Sequence, residues 1–234
     1  MELPKYKRFL KSFCGGQDDV GVQWVQPLPV ATAKPVALRF QHQADHYISE
    51  IFRAIRVNMP IHTAELVDIE LCSQLDMSYT TEYVWQVHAR DYDRSISLRF
   101  DSVRLPRAMQ VDYPRDSGEL TAHWQRQACF LVAYNQLGEV LGFVDGYPEP
   151  WQDQLTILNF VIDRPHRQKG IGTKLLKATK EWAIYHNLNR LTVEMQTKNH
   201  PAISFFQKHG LDFCGYNETY YANGDIALFF SGHA

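Results

Sequence analysis

The chain has 234 residues, 45% of them hydrophobic and 21% charged, and 24 Lys and Arg against 26 Asp and Glu leave a net charge of −2. This balance excludes a general nucleic-acid footprint, and no apolar run is long enough to span a membrane or follows Met1 as a signal core. The length allows one large domain, or a domain with an extension. Cys14, Cys72, Cys129 and Cys214 are scattered, with no C-x-x-C pair, which suits reduced thiols and a cytoplasmic setting.

Residues 1 to about 35 are weakly patterned, with Gly15-Gly16, Asp18-Asp19 and spaced prolines. Pro35 to Phe40 reads as a strand and Gln43 to Asn58 as an amphipathic helix with Ile48, Ile51, Phe52 and Ile55 on one face. His42 and His46 stand at i, i+4, but the glutamate of H-E-x-x-H and a third ligand are missing, so no metal is expected. We read residues 1–60 as an extension of unknown role, a candidate partner-docking or dimerisation arm, and 61–234 as the main domain. A second helix is expected within 63–77, with Leu66, Ile69, Leu71, Cys72 and Leu75 on its apolar face. Thr80 to His88 and Ser95 to Leu105 read as a hairpin turned by Asp91-Tyr92-Asp93-Arg94 and ended by Arg104-Leu105-Pro106-Arg107. In its second strand Ile96, Leu98 and Phe100 alternate with polar residues, which predicts one wet face. Glu119 to Gln127 allows a short helix. Ala128 to Asn135 and Val140 to Tyr147 form another hairpin, followed by a loop, 148–153. Cys129 and Cys214 lie in apolar, strand-like runs and are expected in the core.

The next stretch, Leu155 to Gly172, is the most informative. An apolar strand runs to Ile162 and breaks at Asp163-Arg164-Pro165, because proline lacks a backbone donor and biases its predecessor away from helix. His166, Arg167 and Lys169 follow, then Gly170 and Gly172, then a helix with Leu175, Leu176, Thr179, Trp182 and Ala183 on one face. A strand, a basic glycine turn and a helix N-terminus make an anion site, since the first-turn N–H groups are free and the dipole is positive there. A pyrophosphate-bearing ligand is therefore expected, with a plain strand-to-helix turn as the alternative. The spacing fits neither a P-loop nor G-x-G-x-x-G.

Arg190 to Gln196 reads as a strand, with Leu191, Val193 and Met195 on one face and Thr192, Glu194 and Gln196 on the other. Asn199 N-caps a helix that has Pro201 in its first turn and Gly210 as its stop. Leu211 to Tyr216 and Asp225 to Phe230 make a terminal hairpin. The sum is a mixed sheet with helices on its faces.

Two motifs carry a family resemblance. Arg167, Gly170 and Gly172 match [Gln/Arg]-x-x-Gly-x-[Gly/Ala] directly after a strand, and Asn199, Ala202, Phe205, Lys208 and Gly210 match Asn-x-x-Ala-x-x-[Leu/Phe]-Tyr-x-Lys-x-Gly-Phe. Together they resemble the GNAT superfamily of N-acetyltransferases over the last third of the chain. Within it, Val193-Glu194-Met195-Gln196 running into Asn199, followed by Gly215-Tyr216, is similar to streptothricin-type acetyltransferases. The resemblance implies an α/β (α+β) fold, a mixed, mostly antiparallel sheet flanked by helices. It also implies acetyl transfer from acetyl-CoA to an amine, by direct attack on the thioester.

By the same resemblance, the main chain of Phe160, Val161 and Ile162 would hold the pantetheine arm. The N–H groups of Arg167, Gln168, Lys169, Gly170, Ile171, Gly172 and Thr173 would hold the pyrophosphate, with Asn199 and Phe206 beside the arm. The family's tyrosine, which protonates the leaving thiolate, falls at Phe206, which has no proton to give. Another tyrosine takes over, or water does, or the thiolate leaves unassisted; Tyr216, Tyr220 and Tyr221 are the candidate tyrosines, and Tyr220 is the one we carry forward. Glu194 is the candidate base, with Asn159 beside it in the cleft. Asp145 and Glu149, near Tyr147 and Trp151, are candidates to bind a cationic amine, with an exposed loop as the alternative. The expected acceptor is a small-molecule amine, with no nucleic acid or membrane partner and a homodimer as one arrangement. The alternatives are a protein N-terminal or lysine acetyltransferase, opposed by a closed pocket of Trp85, Trp124 or Trp151, and a non-catalytic acyl-CoA sensor.

Overall fold

The structure, a computed structural model, describes residues 59–126 and 128–234. The expected strand at 35–40, the helix at 43–58, the His42 and His46 pair and the reading of Cys14 lie outside the described residues.

In chain order the elements are β1 (Ile61–Thr63), α1 (Leu66–Ser73), β2 (Tyr79–Tyr92), β3 (Ser95–Val111), α2 (Leu120–Gln125), β4 (Cys129–Tyr134), β5 (Val140–Glu149), β6 (Gln154–Ile162), α3 (Ile171–Tyr185), β7 (Arg190–Gln196), α4 (His200–Lys208), β8 (Asp212–Asn217) and β9 (Ala227–His233). Seven strands form one sheet in the order β1-β4-β5-β6-β7-β9-β8. Only β6 and β7 run parallel, joined by the α3 crossover; the other pairs are antiparallel. This is the mixed, mostly antiparallel sheet that was expected. No helix among the described residues is long and apolar enough to cross a membrane.

Both faces of the central strands are covered, which explains why β4 is apolar without alternation. Cys129, Leu131 and Ala133 pack with Leu175, Leu176 and Ala183 of α3 and Ile203 and Phe206 of α4. Phe130, Val132 and Tyr134 point the other way, onto Ile69 and Cys72 of α1 and Leu120 of α2. In α1 only part of the expected apolar stripe is used: Leu66 and Leu71 stay exposed. The α3 face is as expected, with Ile171 added and Trp182 half-buried.

Four expectations are corrected. The β2–β3 hairpin does not end at Pro106. Tyr83 pairs with Arg104 and Thr81 with Met109, so Leu105–Ala108 stand opposite Glu82 alone, and a bulge tolerates a proline that cannot donate to the ladder. The turn is only Asp93-Arg94, and the tip outruns the core. Ile96 and Leu98 are therefore exposed, and only Phe100 packs, with its ring 4.5 Å from that of Phe213. Cys214 is exposed on the edge strand β8. The loop expected at 148–153 starts late, because Pro148 and Glu149 still pair with Leu155 and Gln154.

Gly142 marks a close approach of β5 to β6. A Cβ there would fall inside contact distance of the Val161 carbonyl and of the Ile162 side chain. Gly142→Ala is expected to lower stability by about 1–3 kcal/mol in urea denaturation, and an unchanged midpoint would show that β5 and β6 can part at no cost.

Candidate active site

Strands β6 and β7 pair only from Gln154 opposite Arg190 to Ile157 opposite Val193. Beyond this point β6 stays with β5, and β7 stays with β9. At the same level β6 bulges: Gly146 faces Ile157 and Asp145 faces Asn159, which leaves Leu158 between them. A bulge bends its strand and adds twist, so the sheet opens into a V with arms Leu158–Ile162 and Glu194–Gln196. The main-chain groups of the first arm that face β7 have no strand partner there.

One side of the V is a chamber of about 580 Å³. Phe160, Val161, Ile162, Arg167, Gln168, Gly170, Gly172, Thr173, Asn199 and Phe206, ten of the expected cofactor residues, line it. Ile171 is a core side chain and can contribute only its N–H. Lys169 turns its ammonium onto the Pro165 carbonyl, 2.8 Å away. Gln168 and Gly170 have φ of 61° and 80°, a left-handed pair that turns successive N–H groups inward, and no side chain caps α3. Gly172 is closely packed: a Cβ there would stand 3.3 Å from the Phe205 ring, which would have to shift slightly. This apolar chamber, with a main-chain anion cradle at one end, fits a pantetheine arm and its pyrophosphate.

The Arg167 guanidinium does not face the chamber. It donates to the carbonyls of Ile162 (2.8 Å), Ser78 (2.6 Å) and Asp76 (3.0 Å), tying the loop to the segment before β2. Burial pulls its pKa down. The side-chain positive charge at the chamber wall comes instead from Lys208, with His166 and His209 beside it. Asn199 Oδ1 accepts from the Ala202 N–H at 3.2 Å and so caps α4, leaving its amide nitrogen for the chamber.

On the other side of the V lies a smaller chamber of about 40 Å³, which shares Tyr113, Phe160, Asn199, Ala202 and Phe206 with the larger one. Glu194 lies here, its side chain 5% exposed, with Oε1 2.8 Å from the Arg115 guanidinium and 3.1 Å from the Tyr221 hydroxyl that donates to it. Burial pushes the Glu194 carboxyl up, and the Arg115 charge and these hydrogen bonds pull it only partly back. Burial works against the Arg115 charge, but Glu194 more than restores it, so the guanidinium is held protonated. Tyr220 is half-exposed; its hydroxyl is 3.4 Å from Arg115, and it lines neither chamber. Asn159 is buried and accepts from the Tyr113 hydroxyl at 2.8 Å. Tyr216 packs on Phe100 instead.

Leu158 leads from the smaller chamber to an outer hollow of about 580 Å³ lined by Arg126, Tyr147, Glu149 and Thr156. Asp145 is not in a loop: it is buried in β5, with Oδ2 2.5 Å from Nδ1 of His123. Trp151 is exposed, the Trp124 indole donates to the Ala64 carbonyl, and Trp85 packs on the core, so none of the three tryptophans lines a chamber. Tyr113 and Arg115 are absent from the sequence reading. Nothing in Asp112-Tyr113-Pro114-Arg115 marks it as a site; the extra length of β3 carries it into the V.

The Arg115 and Glu194 pair gives a prediction. Removing one partner of a buried pair strands the other charge. Arg115→Ala is expected to cost about 3–5 kcal/mol at neutral pH. In the variant the folded Glu194 pKa lies still further above its unfolded value, so the folded state holds the extra proton. Stability should then fall as pH rises above about 4.3, and urea denaturation at pH 5 and pH 8 reads the difference. A loss that does not depend on pH would assign the effect to packing.

Comparison with known proteins gives the same picture. Residues 98–211 match the acetyltransferase (GNAT) family model. The chain is 26% identical over 168 residues to a streptothricin acetyltransferase from Streptomyces lavendulae, covering 70% of this chain and 89% of that protein. It is 27% identical over 138 residues to a putative [ribosomal protein bS18]-alanine N-acetyltransferase from Bacillus subtilis, covering 54% and 91%. The crystal structure of nourseothricin acetyltransferase superposes with a TM-score of 0.64 at 26% identity, covering 74% of this chain and 97% of that one. The open sheet, the glycine cradle and this family match agree: residues 98–211 carry the acetyltransferase (GNAT) domain of an N-acetyltransferase whose acetyl donor is acetyl-CoA.

Proposed function

We propose that this domain, residues 61–234, acetylates an amine of a small cationic molecule of the streptothricin class by direct attack on the acetyl-CoA thioester. The observation that carries the reading is the buried Glu194 carboxylate, in the chamber that shares a wall with the pantetheine-shaped one. A cationic amine is drawn to that carboxylate and must lose a proton before it can attack. Glu194 takes the proton directly or through one water, with Arg115 and Tyr221 holding it in place and Tyr220 reaching the cluster through Arg115. The unpaired N–H groups on the Leu158–Ile162 arm face the carbonyl as its oxygen gains charge. The outer hollow, with Tyr147 and the Glu149 carboxylate, gives the rest of a polycationic acceptor a surface. The relatives named for streptothricin support this class of acceptor.

Purified protein with acetyl-CoA and streptothricin is expected to release CoA, read as free thiol, and an N-terminal alanine peptide serves as the comparator acceptor. Glu194→Gln should lower kcat about a hundredfold with acetyl-CoA binding unchanged. Gly170→Glu, which brings a carboxylate to the phosphate cradle, should abolish micromolar acetyl-CoA binding in calorimetry. Tight acetyl-CoA binding with no CoA release from streptothricin would sink the acceptor assignment.

A further inference from the structure

Acetyl transfer ends with a thiolate that needs a proton, and the position expected to supply it is Phe206, whose ring is 2% exposed and stands edge-on to Phe160. The replacement has to reach the wall between the two chambers, where the C–S bond breaks. Among the described tyrosines, Tyr79 lines only the larger chamber, and its hydroxyl is spent on Gln196 Oε1 at 2.8 Å. Tyr221 lines only the smaller one, and its hydroxyl is held by Glu194. Tyr216 and Tyr220 line neither. Tyr113 lines both, as Phe206 does.

We infer that Tyr113 is the catalytic acid of this enzyme, its hydroxyl giving its proton to the departing CoA thiolate in place of the tyrosine missing at position 206. The inference rests on the acetyl-transfer reading above. The hydroxyl sits on the open arm of the V: it donates to Asn159 Oδ1 at 2.8 Å, and Tyr113 lines both chambers beside Phe160. It therefore stands on the stretch of main chain where β6 has lost β7 and the thioester must lie.

The step balances as follows. The neutral amine forms the new C–N bond, and the tetrahedral carbon expels sulfur with the C–S electron pair. The Tyr113 hydroxyl turns from Asn159 to sulfur, and its proton gives the CoA thiol. Burial and the Glu194 and Asp145 carboxylates raise the pKa of Tyr113, so the phenolate is short-lived, and the Arg115 charge nearby works the other way. The cationic amine passes its first proton to solvent through Glu194 before attack; once the C–N bond has formed, its nitrogen gives a second proton to Glu194, and this one returns to the phenolate through water, so no external acid is consumed. Burial otherwise keeps the phenol protonated across neutral pH, ready as an acid.

The test compares wild type, Tyr113→Phe and the double variant Tyr113→Phe with Phe206→Tyr, using acetyl-CoA with streptothricin. Tyr113→Phe should lower kcat about a hundredfold, with calorimetric acetyl-CoA affinity held within about twofold. The double variant should recover most of kcat, because a hydroxyl returns to the same wall from α4. A wild-type kcat in Tyr113→Phe, or no recovery in a folded double variant, overturns the inference. If wild type does not acetylate streptothricin, the acceptor reading falls alone. The same comparison is then read on the basal hydrolysis of acetyl-CoA, which breaks the same C–S bond. Should the phenylalanine variant not fold, 2,3,5-trifluorotyrosine at position 113 keeps the shape but is the stronger acid. The alkaline limb of kcat should then move to lower pH, and an unmoved limb overturns the inference.

Discussion

Every functional feature of this protein depends on the early end of one strand pairing. Parallel β6 and β7 share only four residue pairs before they part. The bulge at Leu158 and the pairing of β7 with β9 keep them apart. An unpaired strand edge inside a protein is costly unless something meets its N–H and C=O groups. On the proposed reading the open edge is the binding surface: the amide-rich pantetheine arm would be a strand-like partner, and the main chain would take it without needing particular side chains. This accounts for the ordinary core character of Phe160, Val161 and Ile162, which nonetheless line the larger chamber.

The anion end of that chamber follows the same economy. Arg167, the signature basic residue of the loop, donates from each of its three guanidinium nitrogens to a carbonyl and acts as a staple. A phosphate group is left to the N–H groups of a left-handed turn and a helix start, with Lys208 adding charge from α4. A main-chain cradle is preorganised, whereas a lysine or arginine has to be ordered each time it binds. Rigidity of the Arg167 staple and the Gly172 contact with Phe205 is thus what fixes the distance between the cradle and the V.

The acceptor side is built differently, from side chains that hold one another. Glu194 is ion-paired to Arg115 and hydrogen-bonded to Tyr221, while Tyr113 is bonded to Asn159. These five residues come from the 112–115 segment, β6, β7 and the turn before β9. A buried carboxylate held by one arginine keeps its charge and its place, and a proton moved within such a network need not travel to bulk water. The substitution of phenylalanine at position 206 fits this arrangement, because a hydroxyl from the 112–115 segment already stands at the shared wall.

The sequence alone determined the layers, the β6–turn–α3 cradle, the exact limits of β7 and the Asn199 cap of α4, because each is local: periodicity, a proline break, a glycine turn and a capping side chain act over a few residues. It misjudged the β2–β3 hairpin, since tolerance of Pro106 depends on a bulge set by the partner strand. It placed Asp145 in the right strand but offered it as a contact for a cationic amine, although the neighbouring strands bury it against His123. Tertiary structure alone decided that β6 and β7 part after Ile157 and Val193, that Arg167 turns inward, and that Tyr113 and Arg115 enter the site. The physical reason is separation along the chain: Arg115 meets Glu194 across 79 residues and Tyr113 meets Asn159 across 46, and such pairings leave no periodic trace in the residues that make them.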